Sequence, residues 1–118
     1  NIKTAVITRN CDAAVRIVFP DILDYCHCFL ARDHVRSPKP DPAHLLRALE
    51  VIGAGPATAL MVGDHCIDIE TGKAAGVLTA GVGSGNVSRE ELSRAGADWV
   101  AGDCKELVSI LLKEGMLR

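Results

Sequence analysis

Short apolar runs alternate along this chain with stretches whose apolar residues recur at helical spacing. Ile2 to Ile7 is β-branched and apolar and ends in Thr8-Arg9-Asn10, which predicts a buried strand entering a polar turn. Cys11 to Val18 places Ala13, Ala14, Ile17 and Val18 as the apolar positions of a short helix. Asn10 or Asp12 would cap that helix and Pro20 would end it. Asp21 to Tyr25 adds a helical turn, and Cys26 to Leu30 reads as a second strand. Ala31 to Pro40 is a polar loop in which Pro38 and Pro40 stiffen the backbone around Lys39.

Asp41-Pro42 is a helix start, with Asp at the N-cap and Pro at the first helical position. Leu45, Leu46, Leu49 and Ile52 follow at helical spacing, and Gly53 stops the run. Thr58 to Val62 is the third predicted strand, Ile67 to Ala75 a helix ending at Gly76, and Val77 to Ala80 the fourth strand. Ser88-Arg89-Glu90-Glu91 is a capping box for a helix that ends at Gly96. Ala97 to Val100 is a short edge strand, and Asp103 caps a last helix carrying Leu107, Ile110 and Leu111. Strands alternating with helices predict an α/β fold, a doubly wound, Rossmann-like, mostly parallel sheet. Residues 1–118 form a single domain without repeats or an internal linker.

Composition narrows the function. A net charge of −2 lacks the basic excess of a nucleic-acid footprint, and 3 % aromatic residues leave no stacking platform for bases. No apolar run approaches the roughly 20 residues of a membrane span. The first residues lack the build of a signal peptide, and the chain begins with Asn, as expected if an upstream segment has been removed. The five cysteines are odd in number and irregular in spacing, which predicts free thiols and a cytoplasmic location.

The polar residues at predicted strand ends are Thr8, Lys39 in its stiff loop, and Asp64 with Asp68. In open α/β sheets the ligand crevice lies at the carboxyl ends of the strands. A hydroxyl, an ammonium and a carboxylate pair in one crevice suit a phosphate with Mg²⁺: the first two hold phosphate oxygens, the acids a hard cation. Each residue alone has a plainer reading. Gly63-Asp64 is a common turn, Asp68 a helix cap, Thr8 a satisfied hydroxyl and Lys39 a solvated lysine. Cys26-His27-Cys28 reads as packing thiols, with Cys26 and Cys28 on one strand face and His27 on the other, since no second pair has zinc-site spacing. Cys66 reads as packing and His65 as a neighbour or tuner of the site. Gly81-Val82-Gly83-Ser84-Gly85 lacks dinucleotide-loop spacing and reads as a flexible loop at the crevice rim.

Together these residues resemble the haloacid-dehalogenase-like (HAD) phosphohydrolases, in particular the phosphoglycolate-phosphatase-like branch. The second motif of that family, an apolar strand ending in Thr or Ser, is matched by Ala5-Val6-Ile7-Thr8-Arg9-Asn10. The third, a Lys in a proline-flanked loop, is matched by Pro38-Lys39-Pro40-Asp41-Pro42. The fourth is matched by Val62-Gly63-Asp64 and Asp68, and Gly72 to Gly76 and Gly96-Ala97-Asp98 extend the likeness. The resemblance implies a Mg²⁺-dependent phosphomonoester hydrolase working through an aspartyl phosphate. Thr8 would bind the phosphoryl group, with Arg9 and Asn10 adding N–H groups. Lys39 would neutralise the phosphate and nucleophile. Asp64 would ligate Mg²⁺, and Asp68 would support the metal site or hold Lys39.

The chain departs from the family at the first motif. No Asp-x-Asp is present, and Asp21-Ile22-Leu23-Asp24 has the wrong spacing. The helical cap is absent as well. The chain therefore resembles the C-terminal portion of such an enzyme and is expected to be inactive alone. In the family the missing strand lies between those ending here at Thr8 and Asp64, and its loss would leave a gap of about 10 Å. Either the missing part accompanies the polypeptide or the two strands pair directly; strands apart with nothing between them would exclude both. The expected partners are a small phosphorylated metabolite and the chain's own N-terminal segment or a second copy, with no nucleic acid and no membrane. The competing functions are a non-catalytic remnant binding phosphate, metal or protein, and a receiver-type phospho-acceptor domain, whose motif order differs.

Overall fold

The first apolar run enters a ladder only over Ala5–Ile7 (β1), which pairs in parallel with Cys28–Leu30 (β2). A second parallel sheet has the order β3-β4-β5, from Leu60–Gly63 (β3), Leu78–Val82 (β4) and Trp99–Ala101 (β5). The helices are Asp12–Val18 (α1), Pro42–Ile52 (α2), Cys66–Ala74 (α3), Arg89–Arg94 (α4) and Cys104–Lys113 (α5). The computed structural model describes residues 2–116.

The local signals act as their chemistry requires. Asp41 accepts the Ala43 N–H at 2.8 Å, Pro42 opens α2, and Gly53 closes it at φ 71°, a left-handed conformation suited to glycine. Ser88 and Glu91 cap α4 reciprocally, and Asp103 accepts the Glu106 N–H. Several strand boundaries differ from expectation, β1 and β2 starting late and β5 running Trp99–Ala101. A short 3-10 turn at Pro56–Thr58 delays the third strand to Leu60. The fourth strand runs on through Gly81 and Val82 because Gly81 pairs with Gly63 and Val100 while Leu92 of α4 packs where its Cβ would be. Cys26 lies before β2, so the Cys26–His27–Cys28 segment is not one strand face. Cys26 packs near Ile22 and Phe29, Cys28 is buried in the ladder, and the His27 ring accepts the Thr4 N–H.

Helices cover both faces of the larger sheet. Ala80 and Val82 pack with Leu107 and Leu111 of α5. On the opposite face, Gly72 lets α3 lie against Thr79 and Met61.

The expected direct closure of the sheet does not occur. β1 has β2 as its ladder partner and β3 has β4; β1 and β3 do not pair, and no strand lies between them among the described residues. Direct pairing of the two strands, one of the two arrangements expected from the sequence, is therefore overturned. The two sheets are joined instead through α2. Leu45 and Leu49 pack against Met61 of β3, Val77 and Ile7 of β1, so one helix rests on both sheets at once. The Lys3 ammonium adds a bond to the Ile52 carbonyl at 3.0 Å. The radius of gyration, 13.7 Å, matches the roughly 13 Å of a compact domain this long, so the two sheets remain one body.

If α2 is the connector, Leu49→Ala should lower unfolding free energy by about 3 kcal/mol. Ile17→Ala, at a side chain 81 % exposed, should change it by less than about 0.5 kcal/mol. Urea unfolding of both variants checks this.

Candidate functional site

The ends of both sheets and the start of α3 converge on one cavity of about 280 Å³, lined by Thr8, Arg9, Asn10, Lys39, Asp64, His65, Ile67 and Asp68. All the candidate site residues named from sequence thus line one cavity. Thr8 follows β1, and its hydroxyl oxygen accepts the Asn10 N–H at 3.1 Å, which leaves the hydroxyl proton available to another acceptor. Lys39 reaches across to Asp68, Nζ to Oδ1 at 2.6 Å, with both side chains about nine-tenths buried.

Asp68 has two roles in this geometry. Its Oδ1 accepts from Lys39 and its Oδ2 accepts the His65 N–H at 3.3 Å, so it holds the lysine and caps α3 together. The His65 ring completes the cap by accepting the Ile67 N–H at 3.1 Å. Gly63 is required here, because a Cβ on it would fall inside the Asp68 carboxylate. Asp64 stands exposed at the end of β3. The loop after β4 comes to the cavity rim, where a Cβ on Gly85 would lie 2.5 Å from Asp64 Oδ2.

Among the described residues, no group of three or more His, Cys, Asp or Glu side chains forms a metal cage. A hard divalent cation such as Mg²⁺ usually takes one or two carboxylates and completes its shell with water and substrate phosphate. The exposed Asp64 carboxylate fits that donor chemistry, whereas both Asp68 oxygens are already engaged. The cysteines are free, and burial, with the Cys26 thiol beside it, pushes the Cys28 thiol up, so it is an inert packing group.

One residue of the site's support escaped the sequence reading. His44, on α2, is fully buried. Its Nδ1 accepts the Lys39 N–H at 3.1 Å and its Nε2 donates to the Leu30 carbonyl at 2.9 Å. A histidine among the leucines of an amphipathic helix was the available signal.

Known proteins share sequence and fold with this chain. The family described as haloacid dehalogenase-like hydrolase matches residues 1–82. The N-acetylmuramic acid 6-phosphate phosphatase of Pseudomonas aeruginosa is 40 % identical over 80 residues, covering 67 % of this chain and 35 % of that protein. The phosphoglycolate phosphatase of Neisseria meningitidis is 37 % identical over 111 residues, covering 90 % of this chain and 47 % of that one. A crystal structure of a hydrolase from Pseudomonas syringae superposes with a TM-score of 0.69 at 34 % identity, over 73 % of this chain and 40 % of that one. The chain thus spans about half or less of the length of these relatives. Among the described residues, no helix is long and apolar enough to cross a membrane.

Two outcomes are expected. Asp68→Asn, which leaves the Lys39 ammonium without its partner, should cost about 3 kcal/mol of stability, while Asp64→Asn should change it by less than about 0.5 kcal/mol. Denaturant titration separates the two. Burial, chiefly, lowers the His44 pKa; Lys39 and His34 lower it further, and the Leu30 carbonyl raises it. The unfolded imidazole then takes up a proton that the folded one refuses. The stability it contributes is full above about pH 6.5 and is lost as pH falls below that value. Urea midpoints at a series of pH values should drop more steeply in the native protein than in His44→Leu.

Proposed function

The chain belongs to the haloacid dehalogenase-like hydrolases, and from that premise we propose that it is the phosphate- and metal-holding part of a phosphomonoester hydrolase. The observation that carries this reading is the meeting of Thr8, Lys39, Asp64 and Asp68 around one cavity from four separate segments. The attacking carboxylate comes from another segment, with residues before Asn1 as the source, because the Asp-x-Asp of the family is not in this sequence. Residues 1–118 then form a core-domain unit carrying the second to fourth motifs.

Each group has a task that its contacts allow. The Thr8 hydroxyl donates its proton to a phosphoryl oxygen while its own oxygen stays fixed by the Asn10 N–H. Arg9 and Asn10 offer further donors at the same rim. Lys39 gives one N–H to Asp68 and keeps two for the phosphoryl group and the attacking carboxylate, whose charges repel each other without it. Asp68 fixes the lysine's direction and lies next to the metal position. Asp64 would hold Mg²⁺, which when bound supplies charge neutralisation at the phosphate. The substrate is a small phosphorylated metabolite. Relatives named as phosphatases of a sugar phosphate and of phosphoglycolate support that class.

The test joins the preceding segment of the parent protein to Asn1 and assays p-nitrophenyl phosphate. Turnover should require Mg²⁺, vanish with EDTA, and fall about a hundredfold or more in Asp64→Asn. The 118-residue chain alone should show none. If the extended protein does not turn over and Asp64→Asn makes no difference, the proposal fails. Phosphate binding without turnover in the extended protein would instead mark a non-catalytic binding domain.

A further inference from the structure

We propose that His44 is a positioning residue for the phosphate-facing lysine: a neutral imidazole that fixes the Lys39 backbone to the end of β2. The inference rests on the reading of Lys39 given above, but its geometry stands apart from it. His44 sits in the first turn of α2 and is 0 % exposed. A fully buried histidine that meets no substrate must satisfy both ring nitrogens inside the protein. It does so with backbone groups from two different segments.

These two bonds specify a single protonation state. The Lys39 N–H is only a donor, so Nδ1 must be bare. The Leu30 carbonyl is only an acceptor, so Nε2 must carry the proton. Protonating Nδ1 would set two N–H groups against each other in a buried space that already faces the Lys39 ammonium and the His34 ring. The lowered affinity of this imidazole for a second proton agrees with that constraint.

The bonds also form a chain through the site. The Leu30 carbonyl accepts from the Thr8 N–H at 3.2 Å as well as from His44. Thr8, Leu30, His44 and Lys39 are therefore linked in series by backbone and ring, and Lys39 continues to Asp68. Lys39 and Pro40 do not run extended, as the flanking prolines suggest, but form a turn closed by the Asp41 N–H on the Pro38 carbonyl at 3.1 Å, and that turn does not by itself set where the lysine stands relative to Thr8. The imidazole sets it. Without this bridge, the Lys39 N–H loses its acceptor, and the ammonium approaches the phosphoryl position from a loop referred to β1 only through the apolar packing of α2. Displacements of about 1 Å in such groups cost up to about a hundredfold in the chemistry they serve.

Three variants separate positioning from simple packing. His44→Leu fills the space and removes both bonds. His44→Asn places an acceptor near Nδ1 and gives up Leu30. His44→Gln places an amide near Nε2 and gives up Lys39. Nitrogen NMR of the native ring should show a bare Nδ1 and a protonated Nε2. Hydrogen exchange at the Lys39 amide, normalised to the Ala80 amide in β4, should quicken most in the Leu variant, nearly as much in Gln, and least in Asn. Binding of inorganic phosphate with Mg²⁺ should weaken about tenfold in Leu and recover partly in Asn. A protonated Nδ1 in the native ring would overturn the proposal. So would Lys39 exchange that changes no more than Ala80 exchange, or an Asn variant no better than Leu. If Lys39 exchange follows the expected order but the native chain does not bind phosphate, the positioning role stands and the phosphatase reading of the site fails. The native ring measurement holds even if the Leu variant does not fold.

Discussion

The Lys39–Asp68 ion pair is the interaction on which the rest of the arrangement depends. Lys39 belongs to the half of the molecule built on β1 and β2, and Asp68 to the half built on β3, β4 and β5. The two sheets share no backbone ladder, so what joins them must come from side chains. An apolar join is provided by α2, whose leucines reach Ile7 and Met61 together. A polar join is provided by the ion pair at 2.6 Å. Removing two charges from water is costly, and such a pair contributes little net stability against a well-packed apolar substitute. Its value is directional. It fixes an ammonium at the carboxyl ends of both sheets, where α2 by itself would leave only greasy contact.

The constraint propagates into backbone detail. Asp68 can meet Lys39 only because Gly63 leaves its side free, since any Cβ there would occupy the carboxylate's space. The same carboxylate accepts the His65 N–H, which ties the start of α3 to the ion pair. On the other side His44 ties the lysine's own peptide to Leu30 and so to Thr8. Lys39 is thus held at both its ammonium and its peptide by neighbours in other segments. That is the pattern expected where position, and not burial, is being specified.

The sequence made much of this visible. The helices announced themselves through caps with a mechanism, as at Asp41-Pro42 and Ser88 to Glu91, because those side chains act on amides two or three residues away. The strands were visible as apolar runs, and the site residues fell at their ends because parallel sheets put ligands there. What stayed hidden was non-local. Nothing near β1 tells which strand it will pair with, so direct closure on β3 was a fair expectation and the structure departs from it. Of the two roles of Asp68, the cap is legible locally, whereas the hold on Lys39, 29 residues away, is legible only through the family resemblance. His44 looked like one more position on an amphipathic helix, because its partners are backbone groups at Leu30 and Lys39 and backbone groups carry no sequence signature. The extension of β4 through Gly81 was hidden for a related reason: the glycine answers to Leu92 of α4 rather than to its own turn.

The split of the sheet and the site meet at the same strand ends. An unpaired strand edge offers a row of amides and carbonyls, and β1 and β3 each have one edge with no ladder partner among the described residues. The residues that line the cavity stand at the ends of these same two strands. On the proposed reading, a segment that completed the ladder would arrive between Thr8 and Asp64. A carboxylate delivered there would meet an ammonium already oriented by Asp68 and His44, and a hydroxyl already anchored by Asn10. Those supports exist without the completing strand, since each of their hydrogen bonds lies within this chain. On the phosphatase reading proposed above, a segment that brought the attacking carboxylate would meet a lysine and a hydroxyl whose positions are already set.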